Sequence, residues 1–232
     1  MRLDKYIANQ TPLSRSEAVK AIRSGRVTVD SSTVREAKTQ VNEKTQTICL
    51  DEKEVNFKKN IYLMLNKPVD YISSTEDKNH KTVLELLPEE YSCRSPFPCG
   101  RLDIDTTGLV ILTDDGAWAH NITSPKKKCF KTYIVDSLRS LSDEEIQKLE
   151  EGLFLAGDDR ITKPAKVKNL GECKYELKIS EGRFHQVKRM FEAVGNKVIK
   201  LHREAIGEIL LDNDLGEGEF RELTEKEISL FN

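Results

Sequence analysis

The stretch Cys99-Gly100-Arg101-Leu102-Asp103-Ile104-Asp105-Thr106-Thr107-Gly108-Leu109-Val110-Ile111-Leu112-Thr113-Asp114-Asp115-Gly116 divides into a loop and a strand. Gly100 opens an acidic, hydroxyl-rich segment, Gly108 closes it, and the unbroken apolar run Leu109–Leu112 follows. This is the layout of a loop held against a sheet, able to present one carboxylate outward. Asp103 and Asp105 could equally do no more than close turns by accepting from nearby backbone amides.

Outward from that stretch, strand patterns recur over 61–66, 132–136, 175–180 and 197–202. Helical spacing is predicted over 83–87, 142–151, 184–194 and 224–231, with Ser142 and Glu145 three residues apart as a capping box requires. The connections mix turns and helices without regular β-α alternation. The expected class is therefore α+β, with a mainly antiparallel mixed sheet flanked by helices.

The front of the chain has its own pattern. Leu3, Tyr6 and Ile7 give a first helix an apolar face. A second starts at the capping box Ser14-Arg15-Ser16-Glu17, continues through Ala18, Ala21 and Ile22, and stops at Gly25. Arg26–Asp30 alternates like a strand, Ser31-Ser32 is read as a turn, and Thr47–Leu50 as another strand. The polar stretch 51–60 is read as a linker, which divides the chain into domains 1–58 and 59–232.

With 38 % apolar and 33 % charged residues over 232 positions, collagen-like, disordered and membrane-spanning classes are excluded. The longest clean apolar run, Ile61–Leu65, falls far short of the roughly 20 residues a bilayer needs. Arg2-Leu3-Asp4-Lys5 is no secretory leader, so a cytoplasmic location is expected. Five cysteines without CxxC spacing and four scattered histidines predict reduced thiols and no metal site. The net charge of −2 is unevenly spread. Residues 1–58 hold 11 Lys and Arg against 8 Asp and Glu, with a further basic run at Lys126-Lys127-Lys128 and a third across 181–203. Taken singly, each is a solvated face; together on an acidic chain they suggest a polyanion held at chosen surfaces.

Arg15, Lys20, Arg23 and Arg26 cluster on or just after the capped helix, where they could grip phosphates. The segments 2–8, 14–18 and 25–30 resemble the S4-type RNA-binding domain, over about residues 1–58. Gly100-Arg101-Leu102-Asp103, with Thr106 and Gly108-Leu109, resembles the signature loop of the pseudouridine synthases, most closely the RsuA-type branch acting on ribosomal RNA. Asn66-Lys67-Pro68, Lys131-Thr132-Tyr133, Glu181–Met190 and His202–Gly207 fit the same branch, so the resemblance spans nearly the whole chain.

That resemblance implies an isomerase that converts one uridine of 16S rRNA, the position-516-type site, without a cofactor. The implied partner is 16S rRNA or the assembling small subunit, with no membrane, and the chain is expected to act as a monomer. Asp103 is then the nucleophile or base, ionised at neutral pH because its ordinary pKa is near ~3.9. Tyr133 stacks on the target base, Ile179 packs on the base's other face, and Lys188 pairs with Asp103. Arg101 fills the gap left by the flipped nucleotide.

Two other readings stand beside this one. Asp103-x-Asp105-x-Thr107 is also the pattern of haloacid-dehalogenase-like phosphatases, but those place it after an apolar strand, whereas here the strand follows. The alternative without catalysis is an S4-type ribosome-associated protein that only binds RNA. Such a protein has no reason to hold Asp103, Tyr133 and Lys188 in their motif contexts together.

Overall fold

A computed structural model describes residues 1–124 and 129–231 of the chain. The basic run Lys126-Lys127-Lys128 lies outside the described residues. The chain forms two compact units: Met1–Ile61 joined by Leu87–Pro96, and the remainder.

In the first unit, helices α1 (Leu3–Gln10) and α2 (Arg15–Arg23) precede strands β1 (Val27–Val29), β2 (Ser32–Thr33), β3 (Ile48–Leu50) and β4 (Lys53–Glu54). The capping box at the start of α2 is formed on both sides. The Ser14 hydroxyl accepts from the Glu17 amide, and the Glu17 carboxylate accepts from the Ser14 amide at 2.8 Å. Apolar residues at helical and strand spacing meet in one core, with Leu3, Ile7, Ala18, Ile22 and Val27 all fully buried.

Two local expectations change. The hairpin turn is Asp30-Ser31, both at positive φ (49° and 66°), and Ser32 already begins β2. Asp and Ser tolerate the left-handed region and so shift the turn by one residue. The stretch 51–60, read as a linker, contains β4 and packs Val55 and Phe57 on the core, with the Tyr6 hydroxyl donating to the Val55 carbonyl at 2.6 Å. Short polar strands carry too few apolar residues to announce themselves. Residues 87–96, with helix α3 (Glu89–Ser92), join this unit through Arg94, which donates to the Lys58 carbonyl at 2.8 Å.

The second unit is built on a nine-stranded sheet. Its strands are β5 (Tyr62–Lys67), β8 (Phe97–Pro98), β9 (Thr107–Thr113), β10 (Lys131–Ser137), β11 (Lys166–Gly171), β12 (Lys174–Ile179), β13 (Val198–Ile206), β14 (Ile209–Leu210) and β15 (Phe220–Glu222). The order is β11-β12-β10-β13-β9-β5-β15, with β14 on β13 and β8 on β9. Every pairing in it is antiparallel except β13 with β9. The α+β class with a mainly antiparallel sheet is the observed one. A small parallel pair, β6 (Tyr71–Ile72) with β7 (Lys81–Thr82), leads into a 3-10 turn over Val83–Leu86, where a helix over 83–87 was expected.

Strand β9 is central, and Leu109, Val110, Ile111 and Leu112 are completely buried, which explains their continuous apolar run. Helix α4 (Gly116–Thr123) gives no strong periodicity in so short a span; it forms because Asp115 caps the amides of Ala117 and Trp118 and because Trp118 and Ile122 pack on β9. Helix α5 (Asp143–Glu151) carries the Ser142–Glu145 capping box, and α7 (Glu225–Ser229) a second one from Thr224 and Glu227. Helix α6 covers Gln186–Ala193 and so starts two residues after the expected Phe184. His185 adopts the left-handed conformation (φ 47°, ψ 34°), which places Phe184 outside the helix. Among the described residues no helix is long and apolar enough to cross a membrane.

Candidate active site

The loop between β8 and β9 carries Asp103 and Asp105, and its two ends depend on glycine. Gly100 has φ +91° and Gly108 φ +103°. A Cβ on Gly108 would come within 2.3 Å of the Arg203 carbonyl oxygen, so only glycine allows β9 and β13 to pair in parallel there. Beneath the loop lies Lys67, at the end of β5 and fully buried. Its Nζ donates to the carbonyls of Pro68 (2.8 Å), Thr106 (2.8 Å) and Ile104 (3.3 Å). Burial pulls this ammonium down to about 8, against the opposing pull of Asp105, Asp103 and Asp70. The loop is thus clamped from below by a cation bound to its own backbone.

Helix α6 brings Lys188 to the loop from the other side. Its Nζ is 3.1 Å from Asp103 Oδ2 and 2.5 Å from Asp105 Oδ1. Partial burial disfavours both charges, yet the pairing outweighs it. The Lys188 ammonium is pushed up by Asp105 and Asp103, and the Asp105 carboxyl is held below its usual range by Lys188. His185 Nε2 stands 3.6 Å from the other Asp103 oxygen, Oδ1.

Of these groups, Asp103 and His185 open on a cavity of about 1270 Å³ in the second unit. Tyr133 on β10 and Ile179 on β12 line it, 9 % and 2 % exposed. Lys131 pairs with Ile179 and Tyr133 with Leu177, so the alternation of β10 and β12 puts Tyr133 and Ile179 on one face of the sheet. Arg203, opposite Tyr133 on β13, is buried; its Nε donates to the Leu109 carbonyl at 2.8 Å, while Nη2 has no partner among the described residues. Arg101 is exposed at the cavity, and its backbone carbonyl accepts from Arg203 Nη1 at 3.4 Å. The cavity therefore brings together a carboxylate held by a lysine, a phenol ring and a branched aliphatic chain in one chamber. That set suits a flat, uncharged ring beside a reactive carboxylate.

The other residues singled out from the sequence lie in the first unit. Arg15 sits 3.4 Å from the buried carboxylate of Asp4, which Arg2 also binds at 2.7 Å. Lys20 and Arg23 are exposed on α2. Arg26 is held by the Asp51 carboxylate through two hydrogen bonds, so its guanidinium is already committed. Lys67, His185 and Arg203 were not among the candidate site residues. All three stand inside the matched segments, but a lysine or arginine in sequence carries no sign of being buried. Among the described residues no group of three His, Cys, Asp or Glu side chains is placed to hold a metal ion.

Residues 1–46 match the model of the S4 domain, and residues 61–193 match that of RNA pseudouridylate synthases. The chain is 45 % identical to ribosomal small subunit pseudouridine synthase A of Yersinia pestis, over 99 % of this chain and 97 % of that protein. It is 47 % identical to the protein of the same name from Escherichia coli strain K12, over 99 % of both. A solved pseudouridylate synthase, 42 % identical, superposes over 100 % of both chains with a TM-score of 0.72. The fold, the loop and the full-length similarity agree: the chain belongs to the RNA pseudouridylate synthase family and carries an S4 domain at its front.

Proposed function

We propose that this chain isomerises one specific uridine of small-subunit (16S) rRNA to pseudouridine, at the position-516-type site that the family implies. One observation carries the reading: the Asp103 carboxylate, 3.1 Å from the Lys188 ammonium, opens on the cavity lined by Tyr133 and Ile179. The reaction breaks the bond from the sugar to N1 of uracil and forms one from the same sugar carbon to C5. N1 gains a proton and C5 loses one, so no oxidant or energy source is consumed. Asp103 starts this as nucleophile or as base, Lys188 pairs with it and orients it, and Tyr133 and Ile179 take the two faces of the flipped base. Arg101 fills the place the nucleotide vacates. Residues 1–58 anchor the RNA through Arg15, Lys20 and Arg23, while 59–232 perform the chemistry; the Asp51 pairing argues for a lesser part for Arg26.

The test is carbodiimide mapping of pseudouridines in rRNA from cells with the chain, without it, and with its Asp103→Asn variant. One modified uridine should vanish in the second and third. An identical modification map in all three would overturn the proposal.

A further inference from the structure

Phe184 is 72 % exposed, the most exposed large apolar side chain among the described residues. Lone exposed apolar residues are common and need no explanation. Phe184 differs in how it is held and what surrounds it. Its ring stacks on that of His185, centroids 3.8 Å apart and planes 18° apart. The left-handed backbone at His185 turns Phe184 out of the helix, and its carbonyl accepts from Arg189 Nη1 at 3.1 Å. On the preceding residue, Arg183 donates to Asp158 (2.9 Å) and to the Arg160 (2.7 Å) and Ile161 (2.6 Å) carbonyls. The aromatic pair is thus presented on a braced backbone, at the cavity that contains Asp103.

We propose that Phe184 is the stacking platform for the nucleotide adjoining the flipped uridine; the inference rests on the function proposed above. The row of contacts runs outward from the chemistry. Asp103 meets His185 at 3.6 Å, and His185 meets Phe184 face to face. The outer face of Phe184 therefore lies one aromatic layer beyond the histidine, on the side away from Asp103. Tyr133 and Ile179 take both faces of the target base, so Phe184 is left for its neighbour. Because that uridine enters with its chain attached, the group beside it at the mouth is a nucleotide. Arg160 and Lys163, exposed and lining the same cavity, supply cations for the flanking phosphates. Aromatic faces interleaved with cations are the usual means of holding unpaired RNA bases.

The experiment uses the full chain and an rRNA fragment with 2-aminopurine placed 5′ or 3′ of the target uridine. Wild type, Phe184→Ala and Phe184→Tyr are compared for fluorescence at saturation, for kcat/KM and for thermal melting. Stacking by wild type should quench the probe at one flank. Phe184→Ala should abolish that quenching and lower kcat/KM by about 5- to 150-fold, the range seen on removing one base-stacking ring. Its melting should be unchanged, since the ring is exposed, and Phe184→Tyr should stay within about threefold of wild type. The proposal is overturned if Phe184→Ala keeps its kcat/KM, if it loses activity while quenching persists at both flanks, or if Tyr fails as badly as Ala. Wild type that binds and quenches but forms no pseudouridine would instead sink the functional reading, leaving the platform standing.

Discussion

Replacing Lys188 by Met removes the cation shared by two carboxylates while nearly preserving the length of the side chain. The ammonium is 3.1 Å from Asp103 and 2.5 Å from Asp105, with Lys188 21 % and Asp103 28 % exposed. Two unit charges 4 Å apart attract by roughly 4 kcal/mol at the effective dielectric of such a half-buried place. Much of that is returned as desolvation, so a charge-assisted hydrogen bond of about 1.5–3 kcal/mol is the fair measure of what Asp103 loses. Turnover should fall about 10- to 150-fold at neutral pH. C5 of uracil loses its hydrogen when it bonds to the sugar, so tritium release from 5-tritiated uridine in rRNA under single-turnover conditions reads the chemical step. RNA affinity is measured separately and should be near normal. A Lys188→Met enzyme within threefold of wild type, or one that loses RNA affinity instead of turnover, would refute the orienting role.

Three further outcomes are expected. Asp103→Asn should fold and bind RNA but make no pseudouridine, whereas Asp105→Asn, exposed and able to leave Lys188 wholly to Asp103, should retain turnover; product quantification by nucleoside chromatography separates them. Lys67 is held down to about 8 when folded and returns to 10.5 when unfolded, so the unfolded chain binds more protons between those values and stability rises with pH there. Relative to Lys67→Met, wild type should therefore gain melting temperature from about pH 8 to 10.5, and parallel curves for the two would contradict the burial argument. Arg15→Ala with Arg23→Ala should lower the slope of log affinity against log salt by about 0.7–0.9 per lost phosphate contact, with turnover at saturating RNA unchanged. Arg26→Ala should move the slope less, because Asp51 already holds that guanidinium.

The features legible in the sequence are those decided within a few residues. Ser14 and Glu17, or Ser142 and Glu145, meet because a first helical turn brings positions three apart together, and Leu109–Leu112 declare a buried strand by being apolar without interruption. The loop around Asp103 was legible for the same reason, its two glycines marking where the backbone leaves the range open to other residues. Contacts across long separations were legible only through the family resemblance, as for Lys188 with Asp103, and not from the residues themselves. Lys188 reaches Asp105 over 83 positions, and Lys67 reaches Thr106 over 39, and neither lysine differs in sequence from a solvated one. His185 offers no sign of its left-handed backbone, so helix α6 was expected two residues early and Phe184 was assigned to it. Arg26 appeared as a phosphate contact until the fold set Asp51 beside it. The sequence alone settled the capped helices, the buried strand Leu109–Leu112, the α+β class and the loop that presents Asp103, because propensity, capping and periodicity act at short range. Only the tertiary structure decided which charges are buried, which are already paired and which rings face the cavity, because those depend on strands and helices that meet after the chain has closed on itself.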